Sequence, residues 1–150
     1  MTKISIIAAT IYGNRGAEAM LTTIIGRVHE RNPRALINIF SYYPAHDKKI
    51  TKAQHINIFS STPLYLATVL FPFSLLLAVL KRFRLGFLRR FFPKSVVALE
   101  QSDVLVDVAG VSFIDGREKF LPFNILTIFP AMLLCVPVVK FSQAIGPSHH

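Results

Sequence analysis

The fold is decided by the stretch Ala8-Ala9-Thr10-Ile11-Tyr12-Gly13-Asn14-Arg15-Gly16-Ala17-Glu18-Ala19-Met20. The apolar run of residues 4–9 stops there at two nearby glycines, and a helical pattern begins at once. Apolar residues then recur at helical spacing, at Ala17, Met20, Leu21, Ile24, Ile25 and Val28. The order strand, tight loop, helix predicts the first unit of an α/β domain. Its loop lies at the carboxyl end of the strand, where such folds bind ligands.

The segments that follow repeat this unit around the same crevice. Strands are predicted at 4–10, 36–41, 55–60, 104–108 and 137–142, and helices at 17–30, 95–101 and 120–134. With right-handed crossovers, five such strands form a parallel sheet in the order 3-2-1-4-5. We therefore expect one Rossmann-like α/β domain over residues 1–150. No closing helix follows the fifth strand, so we expect this domain to be incomplete.

Composition narrows the class of protein. A hydrophobic content of 52% and a mean hydropathy of +0.47 indicate strands buried on both faces or contact with lipid. The net charge of +9 favours a polyanionic partner. A single cysteine, Cys135, excludes a disulfide framework and a thiolate metal site, and it favours the cytosol. The histidines show no metal-ligand spacing, so no metal site is expected.

Residues 64–94 form an inserted block. Residues 64–80 carry no charge, and Pro72 lies in the middle of them, where it would kink or break a helix. Six basic residues and no acid follow within 81–94, with phenylalanines between them. We expect a helical hairpin at a membrane surface, whose basic residues contact phospholipid head groups. A buried helix pair with a solvated basic end is the alternative. The predicted membrane contacts are Lys81, Arg82, Arg84, Phe87, Arg89, Arg90 and Phe91.

Two other classes of partner are disfavoured. The basic residues crowd beside an apolar run instead of following a polar face, which argues against nucleic acid. A dinucleotide is disfavoured because Gly13-x-x-Gly16 lacks the leading glycine of the fingerprint. The acid expected after the second strand is also absent, since residues 41–43 read Ser-Tyr-Tyr. No Walker A or G-x-S-x-G pattern occurs.

Three loops remain at the same predicted sheet edge, and they supply the candidate substrate-binding residues. Asn14, Asp115 and Gln143 offer hydrogen bonds of the kind that sugar hydroxyls need, and Arg15 offers a partner for a phosphate or carboxylate. Each loop alone is more typical of a plain strand-to-helix turn than of a binding loop, but three together favour a ligand crevice. The candidates are Gly13, Asn14, Arg15, Gly16 and Glu18 after the first strand, Gly110, Ser112 and Asp115 after the fourth, and Gln143 and Gly146 after the fifth.

In order and spacing these motifs resemble the N-terminal half of the polysaccharide pyruvyl transferases. The likeness is carried by GNxGxEA at 13–19, DVLVDVAGVSF at 103–113 and PVV…QAIGP at 137–147, and it spans nearly the whole chain except 64–94. The chain departs from the pattern at Ala109, where family members usually carry glycine. The resemblance implies two facing Rossmann-like domains, as in the GT-B glycosyltransferases, of which this chain is the first.

The resemblance also implies an activity. Family members transfer a pyruvyl group, as a ketal, from phosphoenolpyruvate to a sugar hydroxyl of a cell-envelope glycan or its lipid-linked precursor, without a cofactor. This chain would supply the acceptor-side loops, with Asp115 as the weak candidate for a catalytic base. A C-terminal domain would hold phosphoenolpyruvate, so the fragment alone would be inactive. Two alternatives stay open: a GT-B-type glycosyltransferase domain using a nucleotide sugar, and a non-catalytic membrane-associated fragment. The expected location is cytoplasmic, peripheral on the inner face of the cell membrane.

Overall fold

A five-stranded, all-parallel sheet forms the centre of the protein, in the order β3-β2-β1-β4-β5. The computed structural model describes residues 1–9, 15–50, 55–108 and 121–141. Its strands are β1 (Lys3–Ala9), β2 (Leu36–Ser41), β3 (Ile56–Ser60), β4 (Val104–Asp107) and β5 (Val138–Lys140). The α/β class and the strand order predicted from the sequence are therefore confirmed.

The strands are mostly apolar and carry apolar side chains on both faces, as expected where helices cover both faces of a sheet. In the central strand β1, Ile6 and Ile7 point to opposite faces and are both buried. Ile6 belongs to a core cluster with Ile37 and Ile39, whereas Ile7 belongs to a second cluster with Phe40 and Leu105. Two separate cores thus stabilise the domain, one on each face of the sheet.

Helix α1 (Arg15–Arg31) covers the first face. Leu21 and Ile24 are its buried side chains, and they pack against Ile6, Ile37 and Ile39. The apolar residues that recur at helical spacing in the sequence are therefore the ones that face the sheet. Helix α2 (Pro44–Ile50) follows β2, where the sequence predicts a short polar turn or helix.

A 20-residue helix, Pro63–Arg82, lies on the other face. It consists of α3 (Pro63–Tyr65), a π-helical turn (Leu66–Leu70) and α4 (Phe71–Arg82). The sequence predicts a hairpin or a break at Pro72, and the structure shows a continuous helix instead. The π turn immediately before Pro72 changes the local hydrogen-bond spacing, as expected where a proline lacks an N–H donor.

This long helix is part of the α/β domain. Leu66, Leu70 and Leu77 are fully buried and pack in the same cluster as Ile7 and Phe40 of the sheet. The same helical layer includes α5 (Lys94–Glu100) and α6 (Leu121–Leu133), and a 3₁₀ helix (Gly86–Phe91) connects α4 to α5. Phe71 of α4 and Phe129 of α6 stack with their ring centroids 5.9 Å apart. The helix is therefore the crossover between β3 and β4.

Candidate functional site at the carboxyl edge of the sheet

The strand order reverses between β1 and β4. Strands β2 and β3 lie to one side of β1, and β4 and β5 lie to the other. In doubly wound folds a ligand binds at such a switch point, outside the carboxyl ends of the strands. Ile7, near the end of β1, is paired with Phe40 of β2 and with Asp107 of β4. The side chains that end these strands are therefore the candidates for a site.

Asp107 and Lys140 form an ion pair at the ends of β4 and β5. The Lys140 ammonium lies 3.0 Å from the Asp107 carboxylate, and Asp107 is only 2% exposed. The two residues are direct register partners, and the Phe141 N–H donates to the Asp107 carbonyl at 2.8 Å. Because a buried carboxylate is costly without a partner, the ion pair with Lys140 offsets part of the cost of burying Asp107. The pair therefore places a negatively charged hydrogen-bond acceptor, Asp107, and a positively charged donor, Lys140, beside the switch point.

Tyr42, directly after β2, has a perturbed hydroxyl. Burial, and then the negative charge of Asp107, raise the pKa of Tyr42 from 10.0 to about 12. Both causes disfavour the phenolate, so the hydroxyl keeps its proton at neutral pH. Tyr42 is therefore suited to donate a hydrogen bond and unsuited to act as a base. Its coupling to Asp107 also links the end of β2 to the end of β4.

Two further features shape the end of β2. The Ser41 hydroxyl donates to the buried Asp47 carboxylate at 2.5 Å, which ties β2 to the helix that follows it. The backbone N–H of Tyr43 donates to the Ser41 hydroxyl at 2.9 Å, forming a turn. Ser41, at the position where a dinucleotide-binding fold would carry an acid, thus holds the turn between β2 and α2.

The end of β1 carries a backbone irregularity. Ala8 has a left-handed backbone (φ 62°), and the pairing with β2 shifts there, so that Ile7 pairs with Phe40 and Ala9 with Ser41. A left-handed conformation costs a residue with a Cβ about 1–2 kcal/mol. Bulges of this kind occur often next to functional sites, where they re-aim the chain. The bulge directly precedes the predicted glycine loop, and the sequence pattern did not reveal it.

Three of the predicted binding residues are described, and all three lie in the first turn of α1. Arg15, Gly16 and Glu18 are exposed, and Arg15 and Glu18 line a shallow depression together with Thr22. The remaining candidates, among them the weak catalytic candidate, lie outside the described residues: Gly13, Asn14, Gly110, Ser112, Asp115, Gln143 and Gly146.

Sequence reasoning missed Asp107, Lys140 and Tyr42. A signal for Asp107 was present, because it is an acid that closes an otherwise apolar strand. No signal paired it with Lys140, since the two residues are far apart in the chain and meet only through strand order.

For the described residues 1–9, 15–50, 55–108 and 121–141, no group of three or more His, Cys, Asp or Glu side chains is placed to hold a metal ion.

A second candidate surface is formed by the predicted membrane contacts. Phe87 and Phe91 of the 3₁₀ helix are 64% and 71% exposed, and the Arg90 guanidinium lies 4.8 Å from the centre of the Phe91 ring. Leu75, Leu76 and Val79 on the outer side of α4 are also exposed. We call these five apolar side chains, with the basic residues of 81–94, the apolar–basic face. The block is thus buried on the side that faces the sheet, as in the second alternative, and exposed on the other side.

The apolar–basic face is less positive than the sequence indicates. Glu100 of α5 accepts a 2.9 Å ion pair from Lys81, and one of its oxygens lies 3.9 Å from the Arg89 guanidinium. This acid lies outside 81–94 in sequence and reaches the basic residues only through the fold.

Within the described part of the chain, one helix, Pro63–Arg82, has the length and apolar composition needed to cross a membrane.

Comparison with known proteins gives no assignment: no family model, no curated protein and no solved structure matches this chain.

Proposed function

We propose that this chain is the acceptor-side domain of a polysaccharide pyruvyl transferase-like enzyme with a GT-B-like arrangement of two domains. The reaction would join phosphoenolpyruvate to two hydroxyls of one sugar. One hydroxyl oxygen adds to C2 of the enolpyruvyl group while C3 gains a proton. The second hydroxyl then displaces inorganic phosphate from C2, and the proton that this hydroxyl loses leaves with the phosphate. The product is a pyruvyl ketal.

The observation that carries this proposal is the sheet order. Strands β1, β4 and β5 are parallel neighbours, so their carboxyl ends are adjacent. The sequence continues from β1 into GNRG at 13–16, from β4 into AGVSF at 109–113, and from β5 into QAIGP at 143–147. An order with β2 or β3 between these strands would have separated the three motifs. The observed order supports one shared crevice.

The described side chains support a polar acceptor. The protonated hydroxyl of Tyr42 is a donor at the same edge, and the Asp107–Lys140 pair holds opposite charges there. Arg15, exposed in the first turn of α1, is available to an anion that approaches this edge. Such groups suit hydroxyls and a phosphate or carboxylate.

The test uses the full-length protein. It is incubated with a lipid-linked glycan and either phosphoenolpyruvate or a nucleotide sugar, and the acceptor is then weighed by mass spectrometry. We expect phosphate release and a gain of one pyruvyl ketal with phosphoenolpyruvate. Asp115→Asn is expected to lower the rate about 100-fold or more if Asp115 is the base, and Arg27→Gln, on the outer side of α1, is the matched control. Transfer of a sugar would instead establish the glycosyltransferase alternative, and no product with either donor would support the non-catalytic one.

A membrane surface is the partner that the apolar–basic face favours. Its exposed phenylalanines would enter the interface while the neighbouring basic residues contact anionic head groups, each contributing about 1 kcal/mol. We expect the protein to float with anionic liposomes at low salt. Phe87→Ser with Phe91→Ser should abolish flotation without changing the net charge, whereas Tyr43→Ser, at an exposed aromatic residue outside this face, should not. A wild-type protein that stays in the soluble fraction would refute the membrane proposal.

A further inference from the structure

A basic pocket lies along the edge strand β3, on the side of the sheet away from β4 and β5. It has a volume of about 620 Å³ and lies between β2, the edge strand β3, helix α5 and the 3₁₀ helix. Lys3 and Leu36, which begin β1 and β2, line it, as does Gln101 at the end of α5. Its lining includes none of Tyr42, Asp107 and Lys140, so its occupant does not depend on the proposed transferase activity.

The lining of this pocket carries one sign of charge. Five basic residues contribute to it and no carboxylate does: Lys3, Lys48, Arg89, Arg90 and Lys94. They come from four separate segments of the chain, so only the fold brings them together. A concave wall that bears one sign of charge concentrates ions of the opposite sign. The pocket is therefore built for an anion.

The polar side chains between these cations point to an anion that also carries hydroxyls. Asn38, Asn57 and Gln101 line the pocket. Asn57 donates to the Asn38 side-chain oxygen at 3.0 Å, and the Lys3 ammonium donates to the Gln101 oxygen at 2.7 Å. These bonds hold the amides in position and leave further N–H groups of Lys3 for a ligand, since an ammonium has three donors.

We propose that the basic pocket binds a phosphate group carried by a hydroxyl-bearing molecule. Two neighbouring arginines at its wall offer planar N–H forks that match phosphate oxygens. The volume lies within the range of small-molecule sites, about 300–1,000 Å³. Glycerol- or sugar-linked phosphates fit this chemistry, either free in solution or as the head group of an anionic lipid.

The surroundings favour the lipid as the source. Arg89 and Arg90 share their 3₁₀ helix with Phe87 and Phe91, which are exposed on the apolar–basic face. Phe92 lines the pocket and makes an edge-to-face contact with Phe73 of α4, with centroids 5.9 Å apart. A head group in the pocket would thus lie next to side chains suited to the acyl boundary.

The experiment has a soluble arm and a membrane arm. Glycerol 3-phosphate is titrated against the full chain by calorimetry, and vesicles of phosphatidylcholine with or without phosphatidylglycerol are used in a flotation assay. The test variant is Lys48→Gln with Lys94→Gln, which removes two cations from the lining. Its control is Lys49→Gln with Arg34→Gln, which removes the same charge from exposed residues that do not line the pocket.

We expect the test variant to lose about 25-fold in apparent affinity, since a Lys or Arg near an anionic surface contributes about fivefold. The control should lose less than about threefold, because its two residues are exposed, do not line the pocket and are screened by salt. Val97→Trp fills the pocket without changing charge and should also weaken binding, with its thermal midpoint checked against wild type. Loss in the vesicle arm assigns the site to a lipid head group, and loss in the glycerol 3-phosphate arm assigns it to a soluble phosphate. Equal loss in test and control variants in both arms, or unchanged binding by Val97→Trp, would overturn the proposal.

Discussion

Replacing Tyr42 by phenylalanine should remove a pH-dependent part of the folding free energy. The pKa of Tyr42 is about 12 in the folded protein and 10.0 in the absence of burial, because burial and the charge of Asp107 disfavour the phenolate. A raised pKa means that folding favours the protonated form. The resulting stabilisation is therefore fully present below pH 10 and is lost as the pH rises to about 12. Two pKa units correspond to about 3 kcal/mol.

The assay is urea unfolding of wild type and Tyr42→Phe at a series of pH values from about 8 to about 12. Groups common to both proteins titrate in both, so they cancel in the difference between the two free energies of unfolding. Below pH 10 that difference should be constant, and above it wild type should lose about 1.4 kcal/mol per pH unit relative to the variant.

Tyr43→Phe is the matched control, because Tyr43 is the exposed neighbour of Tyr42. Asp107→Asn should lower the pKa of Tyr42, because it removes the second cause of the shift. If the difference in free energy of unfolding between wild type and Tyr42→Phe does not change with pH, the burial of this hydroxyl next to a carboxylate is refuted.

Three further changes test the fold, each measured by urea unfolding. Cys135→Gly should stabilise the protein by about 1 kcal/mol, because Cys135 ends α6 with a left-handed backbone (φ 60°) and is exposed. Cys135→Ala, which keeps a Cβ, should not, and equal effects would contradict the strain. Leu77→Ala should destabilise by about 2–5 kcal/mol, because Leu77 is fully buried, whereas Leu76→Ala, at its exposed neighbour, should change stability by less than about 0.5 kcal/mol. Similar losses at both positions would contradict the packing of α4 on the sheet. Lys140→Gln should cost about 2 kcal/mol because it leaves a buried carboxylate without its cation, while Arg27→Gln, in an exposed ion pair, should cost less than about 1 kcal/mol. An equal cost would mean that the Lys140 pair is solvated.

Much of the architecture follows from local patterns. The apolar run of β2 is predicted and observed at Leu36–Ser41, and the spacing of Leu21 and Ile24 identifies the buried side of α1. The handedness of crossovers then leaves few orders for five parallel strands, and the observed order is the predicted one. The binding loops were predicted from motifs, and most of their residues lie outside the described ranges, so those assignments stay predictions.

The inserted block shows where local patterns fail. Residues 64–80 are apolar on all sides, so no contrast of polarity indicates which side faces the sheet. The structure buries Leu66, Leu70 and Leu77 and exposes Leu75 and Leu76. Pro72 suggested a break, but a π-helical turn accommodates it.

The sequence by itself determined the class of fold and the positions of the strands, because hydrophobic periodicity is local, and crossover handedness reduced the possible strand orders to a few. Only the tertiary structure decided the partners of the charged groups. Glu100 meets Lys81, Lys140 meets Asp107, and Lys3 joins Arg90 at the basic pocket. The physical reason is that electrostatic interaction depends on distance in space, and no spacing along the chain encodes which strand or helix a charge will lie beside.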